Sequence, residues 1–89
     1  MPGQEIIVRG RVQGVGFRWF VLDCALRNGI KGYVKNLPDG SVKIIAAGIA
    51  EQLLRFGAEV RQGNRHSRVD NVEISELAQY HEYEEFFIA

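Results

Sequence analysis

Midway along the chain, Pro38-Asp39-Gly40 separates two runs rich in β-branched residues, IKGYVKNL at 30–37 and SVKIIAA at 41–47. Proline presets φ for the second position of a turn, aspartate bonds back to nearby amides, and glycine takes conformations that other residues resist. The two runs therefore predict an antiparallel hairpin, and a hairpin with one apolar face needs a second layer to cover it. The chain has 89 residues, a length at which roughly 60% of the unfolded surface is buried, enough for one modest core. A single domain over 1–89 is expected, its site shallow and built from few residues, because a cleft between domains is excluded.

The flanking segments supply the cover. EIIVRGRV at 5–12 reads as a strand, with Gly10 marking a bend or a close backbone approach. After the loop 13–16, RWFVLDCALRNG places Leu22, Ala25, Leu26 and Gly29 at helical spacing, with Asp23 and Arg27 as an i,i+4 pair opposite and Gly29 as the stop. Residues 49–62 form a second amphipathic helix, apolar at Leu53, Phe56 and Val60 and charged at Glu51, Arg55 and Glu59, with Gly57 weakening it and Gly63 ending it. RVDNVEISEL at 68–77 is a strand with Val72 and Ile74 on one face, and Phe86-Phe87-Ile88 is a short terminal strand. The order is βαββαβ with an appended strand, an α+β, ferredoxin-like split βαβ pattern: an antiparallel sheet with two helices on one face. That arrangement hosts metal carriers, RNA binders and small enzymes, so function has to come from the site.

Apolar residues make up 46% and charged residues 25%, which argues against disorder and low complexity. Eleven basic and eleven acidic side chains balance, so the chain as a whole is not built for nucleic acid. The balance is uneven locally. Residues 1–35 carry six basic side chains (Arg9, Arg11, Arg18, Arg27, Lys31, Lys35) against Glu5 and Asp23, whereas residues 69–89 carry six acids and no base. An anion is electrostatically favoured in the N-terminal third. One cysteine, Cys24, rules out an internal disulfide. No apolar run approaches the ~20 residues that span a bilayer, and no leader pattern opens the chain. A cytoplasmic monomer with no membrane partner is expected.

The chemistry points to residues 13–18. Gly14-x-Gly16 lies between a strand and a helix, where backbone N–H groups and the helix dipole converge, and two glycines let successive amides turn inward. Glycines alone make only a tight turn. Arg18 shifts the balance, because a cation in the first turn of a helix opposes the dipole unless a negative group is shared there. A dinucleotide fingerprint would want glycine at position 19, which is Trp19, and a Walker loop would want Gly-Lys-Ser/Thr, which is absent. One phosphoryl group, rather than a nucleotide, suits this loop.

GRVQGVGFRWF at 10–20 and GYVKNLPDGSV at 32–42 resemble the two signature segments of the acylphosphatase family, and the similarity runs in order through SRV at 67–69 to the terminal strand. The resemblance implies a metal-independent hydrolase without a cofactor, cleaving the carboxyl–phosphate anhydride of a small-molecule acyl phosphate to a carboxylate and inorganic phosphate. It implies that Arg18 grips the phosphate, with Gln13, Gly14, Val15, Gly16 and Phe17 completing the binding loop, and that Asn36 positions the attacking water. The residues suit those roles independently: an activated anhydride needs positioning and charge stabilisation more than a nucleophile, and a carboxamide offers water both an acceptor and donors. Val21 stands where many members carry threonine and Leu37 where some do, so no hydroxyl assists there, and Gly63-Asn64-Arg65 stands where proline is frequent.

His66 and His81 are isolated, with no second ligand at metal spacing, and read as surface residues; no metal is expected. Cys24 lies mid-helix and packs. Of Phe17, Trp19 and Phe20, at least two are expected in the core. Two other functions compete: a non-catalytic phosphate- or acyl-phosphate-binding module of the same fold, and an RNA binder, which would need several exposed aromatics on the central strands. The hairpin supplies only Tyr33, so no nucleic acid partner is expected.

Overall fold

The computed structural model describes residues 2–79 and 81–89. Its elements are β1 (Gly3–Arg11), α1 (Phe17–Asn28), β2 (Lys31–Asn36), β3 (Val42–Ala47), α2 (Ala50–Gln62), β4 (Arg68–Leu77) and β5 (Phe86–Ile88). The five strands form one sheet in the order β4-β1-β3-β2-β5. The hairpin β2–β3 and the pairs β1–β3 and β1–β4 are antiparallel, while β5 joins the edge parallel to β2. This is the expected βαββαβ order with its appended strand.

Alternation along each strand builds the core. Ile6, Val8, Val34, Val42 and Ile44 point inward and are completely buried, meeting Phe17, Val21, Cys24 and Ala25 of α1 and Phe56 and Val60 of α2. Burial of each large apolar side chain stabilises the fold by about 1.5–3 kcal/mol. Gly10 is the close approach expected of it: φ is 135°, the β1–β4 register shifts between Arg9 and Gly10, and a Cβ there would stand 2.1 Å from the Arg68 carbonyl oxygen.

The inner face of α1 differs from the one periodicity suggests. Leu26 is 63% exposed, and the buried face runs through Phe17, Val21, Cys24 and Ala25. Apolar residues surround this helix, so local spacing admits more than one inward stripe, and packing on the sheet selects one. Arg27 likewise turns away from Asp23: its Nη2 donates to Glu59 Oε1 of α2 at 2.7 Å, while Asn28 Nδ2 donates to Glu59 Oε2 at 3.1 Å. A carboxylate with two donors from the neighbouring helix is a better partner than a lone exposed i,i+4 aspartate. Val72 and Ile74 share the helix-facing side of β4, opposite Val8 and Ile6, yet Ile74 is exposed because α2 leaves that edge open as a groove of about 550 Å³.

On the opposite face of the sheet, Tyr33, Tyr83 and Phe87 form an aromatic cluster with ring centroids 5.8–5.9 Å apart. His81 packs edge-on against Tyr83 at 4.9 Å, and the Lys43 ammonium sits 5.9 Å from the Tyr33 centroid. These rings pin the C-terminal segment to the sheet.

Candidate active site

Topology brings the loop and Asn36 to one end of the molecule. β1 and β2 both run antiparallel to β3, so their C-terminal ends lie at the same end of the sheet, and α1 starts there. Val8, Val42 and Asn36 form one cross-strand row. Directly opposed residues share a face, so Asn36 belongs to the helix-facing side, two positions after the buried Val34. It is the polar end of an apolar row. Its Oδ1 is buried and accepts from no donor among the described residues.

The loop has the backbone its glycines promise. Gly14 has φ 72° and Gly16 φ 76°, both left-handed, with Val15 between them outside the positive region. Alternating handedness turns successive N–H groups toward one concave side. Gly16 is the N-cap of α1 and offers no side-chain acceptor, and the first turn holds no acid. Its opening amides therefore lack the partners that intrahelical bonding cannot supply. The second helix differs: Gln52 Oε1 accepts from the Ile49 N–H at 3.1 Å, and Glu51 occupies the first turn.

Arg18 stands at the second position of α1, half-buried, and Phe17 before it is 1% exposed. That anchor holds the first turn against the core. The expectation for the aromatics holds: Phe17 is core, Phe20 packs against it with ring centroids 5.8 Å apart, and Trp19 is 67% exposed.

Charge compensation thins out around the loop. Of the eight arginines, Arg9, Arg27, Arg55 and Arg68 pair with carboxylates. Among the described residues, the other four, Arg11, Arg18, Arg61 and Arg65, have no carboxylate within 4.0 Å; Arg61 lies on α2 and Arg18 in the first turn of α1. Arg11 and Arg65 line a shallow recess of about 570 Å³ with Gly14, Val15 and His66.

Two polar side chains set the loop's position, and neither role was legible as such in the sequence. Gln13 Nε2 donates to the Leu37 carbonyl at 2.9 Å and to the Ser41 carbonyl at 2.8 Å. Both of its amide hydrogens are committed to the hairpin, which leaves only the Gln13 backbone N–H for an anion. Asn64, in the turn after α2, donates from Nδ2 to the Val15 carbonyl at 2.9 Å. An uncharged amide in an otherwise charged or apolar stretch was the only available signal. The turn carrying Asn36's successors is itself held: Asp39 Oδ1 accepts from the Ser41 N–H and Oγ–H, which lowers the Asp39 pKa, with a smaller contribution from the charge of Arg9.

The acylphosphatase family profile matches residues 4–88. An acylphosphatase of Archaeoglobus fulgidus is 48% identical over 89 residues, covering 100% of this chain and 99% of that protein. The crystal structure of acylphosphatase from Bacillus subtilis superposes with a TM-score of 0.96 at 39% identity, covering 100% of this chain and 99% of that one. The same fold matches 12% of the crystal structure of T. kodakarensis HypF, with a TM-score of 0.90, 32% identity and 100% of this chain covered. With its loop, its hairpin and its whole length matched in this way, the chain belongs to the acylphosphatase family.

Proposed function

We propose that this protein hydrolyses acyl phosphates to a carboxylate and inorganic phosphate without a metal, the phosphoryl group held by the 13–18 loop and Arg18 and the water positioned by Asn36. The observation that carries the reading is a helix start with an unpaired arginine in its first turn, no acid and no cap, at the sheet end that Asn36 shares. A cation and unpartnered amides at one helix terminus are stabilised together by an anion.

The chemistry asks little more of the protein. The water oxygen bonds to phosphorus, the bond from phosphorus to the acyl oxygen breaks, and its electron pair leaves on the carboxylate. Charge spreads over the equatorial phosphoryl oxygens, where amides and a guanidinium fork neutralise it. The leaving group is a carboxylate whose acid has a pKa of about 4, so it needs no protonation. The water's proton passes to a phosphoryl oxygen of the substrate, giving carboxylate and dihydrogen phosphate. Asn36 Oδ1 has no other partner among the described residues, and a turn of the half-buried carboxamide toward solvent lets it accept a hydrogen bond from that water. In this reading a cytoplasmic monomer acts on a small molecule, with no nucleic acid or membrane involved.

Benzoyl phosphate tests the proposal. Turnover should be unchanged by chelator and inhibited competitively by inorganic phosphate, and Arg18→Gln and Asn36→Ala should each lower kcat/KM by about a hundredfold or more. Full turnover in both variants would remove the assignment. A second reading is a phosphate-binding module without catalysis, since this chain also matches 12% of full-length HypF, whose crystal structure is of a phosphate- and nucleotide-bound form; it predicts phosphate binding with no hydrolysis by the unmodified chain.

A further inference from the structure

We propose that Asn64 is a positioning residue, which by holding the Val15 carbonyl sets the direction of the Gly16 N–H and with it the anion affinity of the loop. The inference rests on the reading of the loop as a phosphate cradle and adds a residue 49 positions away from the carbonyl it holds.

The argument is geometric. In a trans peptide the C=O and the following N–H lie in one plane and point in opposite directions, and every described peptide bond here is trans. A donor that captures the Val15 oxygen from one side therefore fixes the Gly16 N–H toward the other. Gly16 cannot resist reorientation by itself, because its left-handed φ of 76° carries no Cβ to restrict rotation. The Asn64 carboxamide is the restraint. It lies close above this peptide, 3.7 Å from where a Gly16 Cβ would stand.

Asn64 is held independently of its side chain. Its N–H donates to Ser67 Oγ at 2.9 Å, and its carbonyl accepts from the Ser67 N–H at 3.1 Å. Replacing the carboxamide thus leaves the turn intact. The other end of the carboxamide, Oδ1, is buried and has no donor among the described residues. A buried acceptor without a partner is unfavourable, and the Nδ2 bond to the Val15 carbonyl is the interaction that offsets it.

The experiment compares the unmodified chain with Asn64→Ala, Asn64→Leu and Arg18→Gln. Inorganic phosphate binding is followed by titration calorimetry and by the Gly16 amide resonance, and benzoyl phosphate turnover by steady-state kinetics. Loss of one oriented donor should weaken phosphate binding and raise KM by about tenfold, with kcat changed less than threefold and the Gly16 amide shift on phosphate addition reduced. Asn64→Leu keeps the branched four-atom outline of the side chain and removes the orphan acceptor, so it guards against a folding defect in Asn64→Ala. Phosphate affinity, KM and Gly16 shift equal to those of the unmodified chain in both folded variants would overturn the proposal. If Arg18→Gln binds phosphate normally, or the unmodified chain binds none, the cradle reading itself fails, and the proposal with it.

Discussion

Gln13 and Leu37 are joined by a hydrogen bond of 2.9 Å from the Gln13 side chain to the Leu37 carbonyl, across 24 residues of chain. The same Nε2 reaches the Ser41 carbonyl at 2.8 Å. One carboxamide thus ties the loop before α1 to the residue that follows Asn36, and in the proposed mechanism it sets the spacing between the two. Each carbonyl keeps a second partner, since Gly40 N–H donates to Leu37 O and Leu37 N–H to Ser41 O.

Because those carbonyls stay partnered, Gln13→Ala should cost only about 1–2 kcal/mol of stability. It should also lower kcat by about tenfold or more with the folded fraction unchanged. Urea denaturation and benzoyl phosphate kinetics on one preparation check both. A variant that loses stability and keeps kcat would show that the link is structural only.

Two glycines should respond to alanine in opposite directions. Gly10→Ala drives a Cβ to 2.1 Å from the Arg68 carbonyl at φ 135° and should cost about 3 kcal/mol or more. A Cβ on Gly57, inside α2, meets nothing within 4 Å, so Gly57→Ala should stabilise by about 0.5–1 kcal/mol through helix propensity. Denaturation midpoints on either side of the unmodified chain are the expected result.

Cys24 should be inert while the protein is folded. It is completely buried, and burial, followed by the charge of Glu59 and partly offset by Arg27, pushes its thiol up to about 11. At pH 8 roughly one thiol in a thousand is ionised, and none is accessible. A thiol reagent such as dithionitrobenzoate should react only at the rate of unfolding, and quickly once denaturant is added. Rapid native-state labelling would contradict this.

Stability should fall on acidification. Asp39, held by Ser41, Glu59, held by Asn28 and Arg27, and Asp70, held by Arg68, all have carboxyls below their ordinary values of 3.8 for aspartate and 4.5 for glutamate. A carboxyl depressed in the folded state binds its proton more readily when unfolded, so its contribution is present above the ordinary value and lost as pH drops through the folded one. Urea midpoints should be flat near neutrality and decline below about pH 4. Asp39→Asn keeps an acceptor for Ser41 but removes one titrating group, so its decline should be shallower than that of the unmodified chain.

The sequence by itself determined the order of strands and helices, the central turn at Pro38-Asp39-Gly40 and the paired glycines before α1. Each is a local property: alternation, a preset φ or a missing Cβ acts within a few residues and needs no partner from elsewhere. The resemblance carried by 10–20 and 32–42 singled out Arg18 and Asn36 for the same reason, since both lie inside continuous motifs. Only the tertiary structure decided which side of α1 faces inward. Apolar side chains encircle that helix, and whether Leu26 or Cys24 is buried depends on how it rolls against the sheet and α2. Tertiary packing likewise sent Arg27 to Glu59 instead of Asp23, Gln13 to the hairpin and Asn64 to Val15. Those bonds join segments far apart in the chain, and a single donor within a few ångströms decides them, a distance that no local pattern specifies.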